Sequence, residues 1–189
     1  MEEVFGGTLG RVYYVEEGAM QVITAVEAID VLGKPTAFLA GGITNCPWWQ
    51  DEVIKILEPH DNGVLLNPRR RNFPIDDPNA SREQITWEFN ALDRANVFSM
   101  WFSDADSDQP ICMLELGKHL ERRATRNQLD LVVIGVEPGY RREQDVRIQS
   151  ELVSMDVADR ITDNLEDHAA EILAALEKVN TESKNAFSW

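Results

Sequence analysis

Apolar residues fall in two kinds of run along this chain. Thr36 to Ala40, Gly63 to Asn67, Val97 to Phe102 and Leu131 to Val136 are short and almost wholly apolar. Runs of that length without polar alternation are what parallel strands covered on both faces require. Between them apolar residues return every three or four positions, the period of a helix buried on one side. Pro47 opens one such helix through Glu58, with Trp49, Val53, Ile54, Ile56 and Leu57 on its apolar side. Ser81 with Gln84 three residues on has the form of a capping box and predicts a second helix, striped by Ile85, Phe89 and Leu92. A third helix is predicted from Pro110 towards Arg123, capped by Ser107 or Asp108. Arg141 starts another, with Val146 and Gln149 on one side, and Ile161 to Val179 keeps the period through Leu165, Ala169, Ile172 and Leu176. Strands alternating with helices specify an α/β fold around a parallel sheet.

Residues 1–33 depart from that rhythm. Val12 to Val15 and Gln21 to Val26 are β-rich and flank Glu16-Glu17-Gly18-Ala19, which predicts a β-hairpin or edge extension. The expected organisation is a hairpin appendage over 1–33, an α/β domain over 34–180 and a tail over 181–189. The tail is expected to fray after Asn180, with Phe187 and Trp189 as candidates for docking on a neighbouring subunit.

Charge narrows the partners. The 189 residues hold 33 acidic and 18 basic side chains, a net charge of −15, which disfavours a nucleic acid polymer. A single nucleotide held by local cations stays compatible. Cys46 and Cys112 form no C-x-x-C pair, which points away from a disulfide framework or zinc site and towards a reducing cytoplasm. No run reaches membrane-spanning length, so no membrane partner is expected. His60, His119 and His168 lack metal-ligand spacing, and no metal or cofactor is expected. Asp104, Asp106, Asp108 and Glu115 reproduce positions 1, 3, 5 and 12 of a calcium loop, but Gln109 stands where the sharp turn needs glycine.

The candidate chemistry gathers at the carboxyl ends of the strands, where ligands collect in open α/β sheets. Glu115 sits among Ile111, Met113, Leu114 and Leu116, and a carboxylate in such company is costly unless hydrogen-bonded or chemically employed. The alternative reading puts it at the edge of the stripe, reaching solvent. Gly41-Gly42-Ile43 forms a turn whose backbone N–H groups can meet an anion or a sugar, or is a plain tight turn. Arg69, Arg70 and Arg71 follow the second of the four apolar runs and suit phosphate or carboxylate recognition, or form a solvated loop. Glu88 stands beside the second helix's stripe, as a second carboxylate or as half of an ion pair.

Taken in order, Ala37-Phe38-Leu39-Ala40-Gly41-Gly42-Ile43, Trp48/Trp49, Asn67-Pro68-Arg69, Gln84-Ile85-Thr86-Trp87-Glu88, Ala95-Asn96-Val97 and Leu114-Glu115-Leu116-Gly117 resemble the nucleoside 2-deoxyribosyltransferase family, in its 2-deoxyribosyltransferase-like branch. The resemblance runs from about residue 36 to residue 120, and Tyr140-Arg141-Arg142 with Asp145 and Gln149 resembles that branch as well. It implies a flavodoxin-like, doubly wound, parallel five-stranded sheet, a homo-oligomer, and cleavage of the N-glycosidic bond of a nucleoside or nucleoside 5′-monophosphate, by hydrolysis or by transfer to another base. Glu115 then corresponds to the nucleophile, and Glu88 to the acidic residue that positions the sugar or helps protonate the leaving base. Phe38, Gly41, Gly42, Ile43, Trp48, Arg69 and Gln84 fall at substrate-binding stretches, and Asp104, Asp106 and Asp108 in a loop that lends a further carboxylate. Asn96 stands where relatives commonly have Asp and Phe38 where some have Tyr, which is expected to reshape the sugar pocket. A nucleotide-binding module of the same fold without turnover is the alternative, and a Mg²⁺-binding receiver-like module ranks below it, since no Lys ends the fourth strand.

Overall fold

The computed structural model describes residues 19–186 apart from 32 and 62. Five strands form one sheet, β1 (Gln21–Thr24), β2 (Thr36–Gly41), β3 (Val64–Asn67), β4 (Val97–Phe102) and β5 (Val132–Val136), in the order β1-β3-β2-β4-β5 with every pairing parallel. The connections are α1 (Trp49–Leu57), α2 (Ala80–Arg94) and α3 (Pro110–Thr125); α4 (Glu143–Val153), α5 (Met155–Ala158) and α6 (Leu165–Ala186) follow β5. This is the α/β, flavodoxin-like architecture that the alternating pattern and the resemblance predict. Gln21–Thr24 pairs in parallel with β3 and so is the sheet's edge strand; its expected hairpin mate, Val12 to Val15, lies outside the described residues, as do Phe187 and Trp189. α6 does not fray at Asn180 but continues to Ala186.

Side chains alternate between two cores because successive strand residues point to opposite faces. Phe38, Ala40, Leu66, Phe98, Met100 and Ile134 pack on α2, α3 and α4. Ala37, Leu39, Leu65, Trp101 and Val133 pack on α1 and α6. On the second face His168 of α6 is fully buried between Trp49 and Trp101, with Nε2 at 2.9 Å from Ser99 Oγ of β4 and Nδ1 at 3.3 Å from Thr162 Oγ1.

The buried face of α2 is not the predicted one. Ala80, Trp87, Ala91 and Leu92 turn inward, whereas Ile85 and Phe89 face solvent. Trp87 decides the rotation: its ring meets Phe38 at 6.3 Å and its Nε1–H donates to the Glu27 carbonyl at 2.8 Å, a fit for a bulky amphipathic ring with one donor. The capping box is absent as well. Asn79 precedes the helix without a side-chain cap, and Gln84 is engaged elsewhere. On α4 the inward partner of Val146 is Ser150 and not Gln149. Trp87→Ala is expected to lower unfolding free energy by about 3–5 kcal/mol, and Leu152→Ala on the exposed side of α4 by no more than about 0.5 kcal/mol; urea denaturation of the two variants checks the assignment.

Candidate active site

The order of the strands reverses between β2 and β4, and a crevice opens there beyond their carboxyl ends, as the geometry of open α/β sheets requires. A cavity of about 200 Å³ occupies it. β2 and its turn contribute Phe38 and Ala40 to Thr44, β3 contributes Pro68, α2 contributes Glu88, and the start of α3 contributes Ser107, Gln109 to Cys112 and Glu115.

Close packing fixes the turn. A Cβ on Gly41, which has φ +154°, would lie 2.4 Å from the Trp101 carbonyl and 2.5 Å from the Trp49 ring. One on Gly42 would lie 2.4 Å from Cys46 Sγ and from Gln109 Oε1. Trp49 adds an Nε1–H bond of 3.0 Å to the Gly42 carbonyl. The rest of the loop is braced from within by Arg69, which is only 7% exposed. Its guanidinium donates to the carbonyls of Ile43 at 3.2 Å, Cys46 at 2.9 Å and Pro47, and to Gln50 Oε1 at 3.2 Å, and lies 3.9 Å from the Trp48 ring. Arg69 and Trp48, both read from the sequence as substrate-binding, therefore hold the loop and do not line the cavity.

Glu88 is held from its own helix. Gln84 Nε2–H donates both to Glu88 Oε1 at 2.7 Å and to the Pro68 carbonyl at 2.6 Å, tying α2 to the end of β3. Burial pushes the Glu88 carboxyl above its ordinary value, while the Gln84 hydrogen bond and the charge of Arg70 oppose that rise. Glu115, on the second turn of α3, is pushed up to about 7, first by burial and then by the charge of Glu88. The two carboxylates thus face one cavity from different helices and act on each other. The thiol of Cys112 between them is raised by burial to about 12, so it is a neutral wall and no nucleophile at ordinary pH.

Other residues singled out by sequence lie elsewhere. Asp106 and Asp108 pair outside the cavity with Arg141, at 3.0 and 3.5 Å, and Asp104 adjoins Gly139 with its backbone N–H on Glu137. Asn96 is at the amino end of β4, where its Oδ1 accepts from Thr36, so its departure from Asp leaves the cleft untouched. The helix cap expected at Ser107 or Asp108 is Gln109 in the left-handed region, at φ +48°, with Nε2–H donating to the Ser103 carbonyl at 2.8 Å. Gln109 and Cys112 line the cavity and were not foreseen as site residues. Cys112 was within reach of helical spacing, three positions before Glu115, whereas nothing in the sequence signals the backbone of Gln109.

A family model described as nucleoside 2-deoxyribosyltransferase like matches residues 34–134, more than half of the chain, with Glu88 and Glu115 inside the match. The chain belongs to that family. The match runs from just before β2 to within β5, the span that builds the cleft. No curated protein matches the chain significantly. Among the described residues, no helix is long and apolar enough to cross a membrane, and no group of His, Cys, Asp and Glu could hold a metal ion.

The raised pKa of Glu115 has a consequence for stability. Its folded pKa of about 7 lies above the unfolded carboxyl value, so the folded chain binds the extra proton and its contribution is complete at acid pH and lost as pH rises through 7. Glu115→Gln is therefore expected to be more stable than wild type at pH 8, by about 1–3 kcal/mol, with the difference closing below pH 4.5. Chemical denaturation of both proteins across pH 4 to 8 measures it.

Proposed function

We propose that the chain cleaves the N-glycosidic bond of a nucleoside or nucleoside 5′-monophosphate, with Glu115 as the nucleophile. The observation that carries this reading is the pair of desolvated carboxylates, Glu115 and Glu88, presented to one cavity by α3 and α2 at the switch point of the sheet. Ionised Glu115 attacks C1′ as the C1′–N bond breaks, and the bonding electrons leave with the base, which takes up a proton from solvent. The resulting glycosyl ester is released to water in hydrolysis or to a second base in transfer. Glu88, where Gln84 and Arg70 favour the ionised form against the effect of burial, accepts a hydrogen bond from a sugar hydroxyl and orients the ring. Free Cys46 and Cys112, both buried, suit a cytoplasmic setting.

Of the three successive arginines, Arg70 fits a phosphate best. Arg71 pairs with Asp51 at 2.7 Å and Arg69 is engaged by the loop, whereas Arg70, with Nη1 3.9 Å from Glu83 and its guanidinium 5.0 Å from the Phe73 ring, keeps Nε and Nη2 buried without an acceptor among the described residues, beside Glu88. Chromatographic detection of free base over a panel of nucleosides and their 5′-monophosphates, with and without an acceptor base, tests the proposal. Wild type is expected to release base with a rate that rises with pH through about 7, Glu115→Gln to lose it by roughly a thousandfold or more, and Arg70→Gln to lose activity on monophosphates selectively. Nucleotide binding without any base release would reject the catalytic reading and leave a binding module.

The surface beside the cleft supports self-association. Phe89 and Asp93 on α2 meet Lys118 and Arg122 on α3, so Ile85, one turn before Phe89, and Leu114 and Ile111, one and two turns before Lys118, share one face. Each of Ile85, Phe89, Ile111 and Leu114 is 61% to 68% exposed. The cavity, at about 200 Å³, is smaller than the roughly 300–1,000 Å³ usual for small-ligand sites, and Ile111 joins its lining to the apolar face. A second copy seated there would extend the pocket over the part of a nucleoside that one chain leaves uncovered. Leu114→Asp is expected to convert a dimer to a monomer in sedimentation velocity, and a wild-type chain that sediments as a monomer at tens of micromolar would reject the assembly.

A further inference from the structure

The amino-terminal edge of the sheet, opposite the cleft, carries a polar cavity of about 190 Å³. It opens where α2 and α3 end and β4 begins. Arg94, Arg122, Arg123 and Arg126 line it against one carboxylate, Asp93, in a chain of net charge −15. Arg122 pairs with Asp93, Arg123 donates to the carbonyls of Ala95 and Asn96, and Arg94 reaches the Ile29 carbonyl at 3.3 Å. Arg126 stands near enough to Asp93 to lower its pKa.

Basic side chains in the last turns of helices are ordinarily accounted for by the negative end of the helix dipole, and Arg123 on two carbonyls fits that account. His119 does not. It is 1% exposed, its ring stacks on Phe98 at 4.5 Å and 13°, and its Nε2 is buried in this cavity wall with no hydrogen-bond partner among the described residues. A buried polar atom without a partner is unfavourable, and the Nε2–H tautomer of a ring held there would be satisfied by an oxygen acceptor in the cavity. Burial and the charges of Lys118, Arg123 and Arg122 lower its pKa to about 4, and the neutral ring carries one N–H at ordinary pH.

We propose that this cavity binds a small oxyanion, phosphate or the end of a phosphate ester, accepted by His119 Nε2–H and by the guanidinium groups of Arg94, Arg122 and Arg126. Oxygen acceptors on a compact dianion satisfy the orphan N–H and the fork geometry of arginine together. The site is independent of the glycosidic reading, because it lies at the other end of the sheet and uses none of the cleft residues.

Thermal unfolding of the full chain in inorganic phosphate, against sodium chloride at matched ionic strength, tests it. Wild type and Glu115→Gln are expected to gain the same stabilisation, rising with the logarithm of phosphate concentration above the dissociation constant. The Arg94→Gln/Arg126→Gln double variant, changed at two exposed positions, is expected to bind phosphate at least tenfold more weakly by calorimetry, and His119→Phe, which keeps the stacked ring, to do the same. No gain beyond chloride, a gain undiminished in the double variant, or a gain abolished by Glu115→Gln would each overturn the proposal. Titration with a nucleoside monophosphate in the Glu115→Gln background then separates a free anion from an ester as the occupant.

Discussion

The contact on which the rest depends is the closure of backbone against side chains at the carboxyl end of β2. Gly41 and Gly42 leave no space for a Cβ, and what occupies that space is the Trp49 ring and Trp101 carbonyl on one side and Cys46 and Gln109 on the other. Trp49 belongs to the core under α1 and α6, while Gln109 opens α3 on the opposite face. The turn therefore joins the two layers, and the cleft exists because both approach the same two residues. Interiors packed this closely transmit small displacements instead of absorbing them, so the position of Glu115 on α3 is coupled to the seating of Trp49.

Charge inside the chain is handled in two contrasting ways. Arg69 and Arg123, 7% and 5% exposed, each spend donors on loop carbonyls that secondary structure leaves open, so that cation and carbonyls satisfy one another. Glu88 and Glu115 receive less: one hydrogen bond from Gln84 and the charge of Arg70 for the former, and the charge of Lys118 for the latter. Arginine is used here as structural mortar, and carboxylate is left under-solvated. The second condition is what a reactive carboxylate needs, since a fully hydrogen-bonded one would be acidic and unreactive.

How much of this was legible in the sequence follows from the same physics. The four apolar strands were readable because a strand covered on both faces tolerates few polar residues, and Glu115 was readable because a charge inside an apolar helix stripe is an anomaly. The face of α2 was not. Ile85 and Phe89 on one row, and Ala80, Trp87 and Ala91 on the next, each keep the helical period with Leu92, so periodicity establishes the helix without choosing the inward row. Hydrophobicity favours the first row, but the Trp87 N–H bond to Glu27 and the small alanines that let α2 approach the sheet favour the second. Arg69 illustrates the same limit: an arginine after a strand reads as anion-binding, and only the surrounding loop reveals that its partners are the chain's own carbonyls.

α3 runs between the two cavities. The first turn of α3 contains no acidic residue, although carboxylates are favoured there, and its last turn contains Arg122 and Arg123. The carboxyl end of the helix is thus neutralised by its own side chains, while the amino end, where Pro110, Ile111 and Cys112 line the cleft, keeps its positive pole for whatever the cleft holds. Glu115 and His119 are one turn apart on this helix, one facing each cavity. A helix neutralised at one end and left open at the other favours an electron-rich group at the cleft mouth, such as a sugar oxygen or a phosphate. The same field favours ionised Glu115 only weakly from the second turn, because the dipole fades within the first turn. Desolvation therefore dominates at Glu115, and its pKa lies near neutrality instead of in the ordinary carboxylate range.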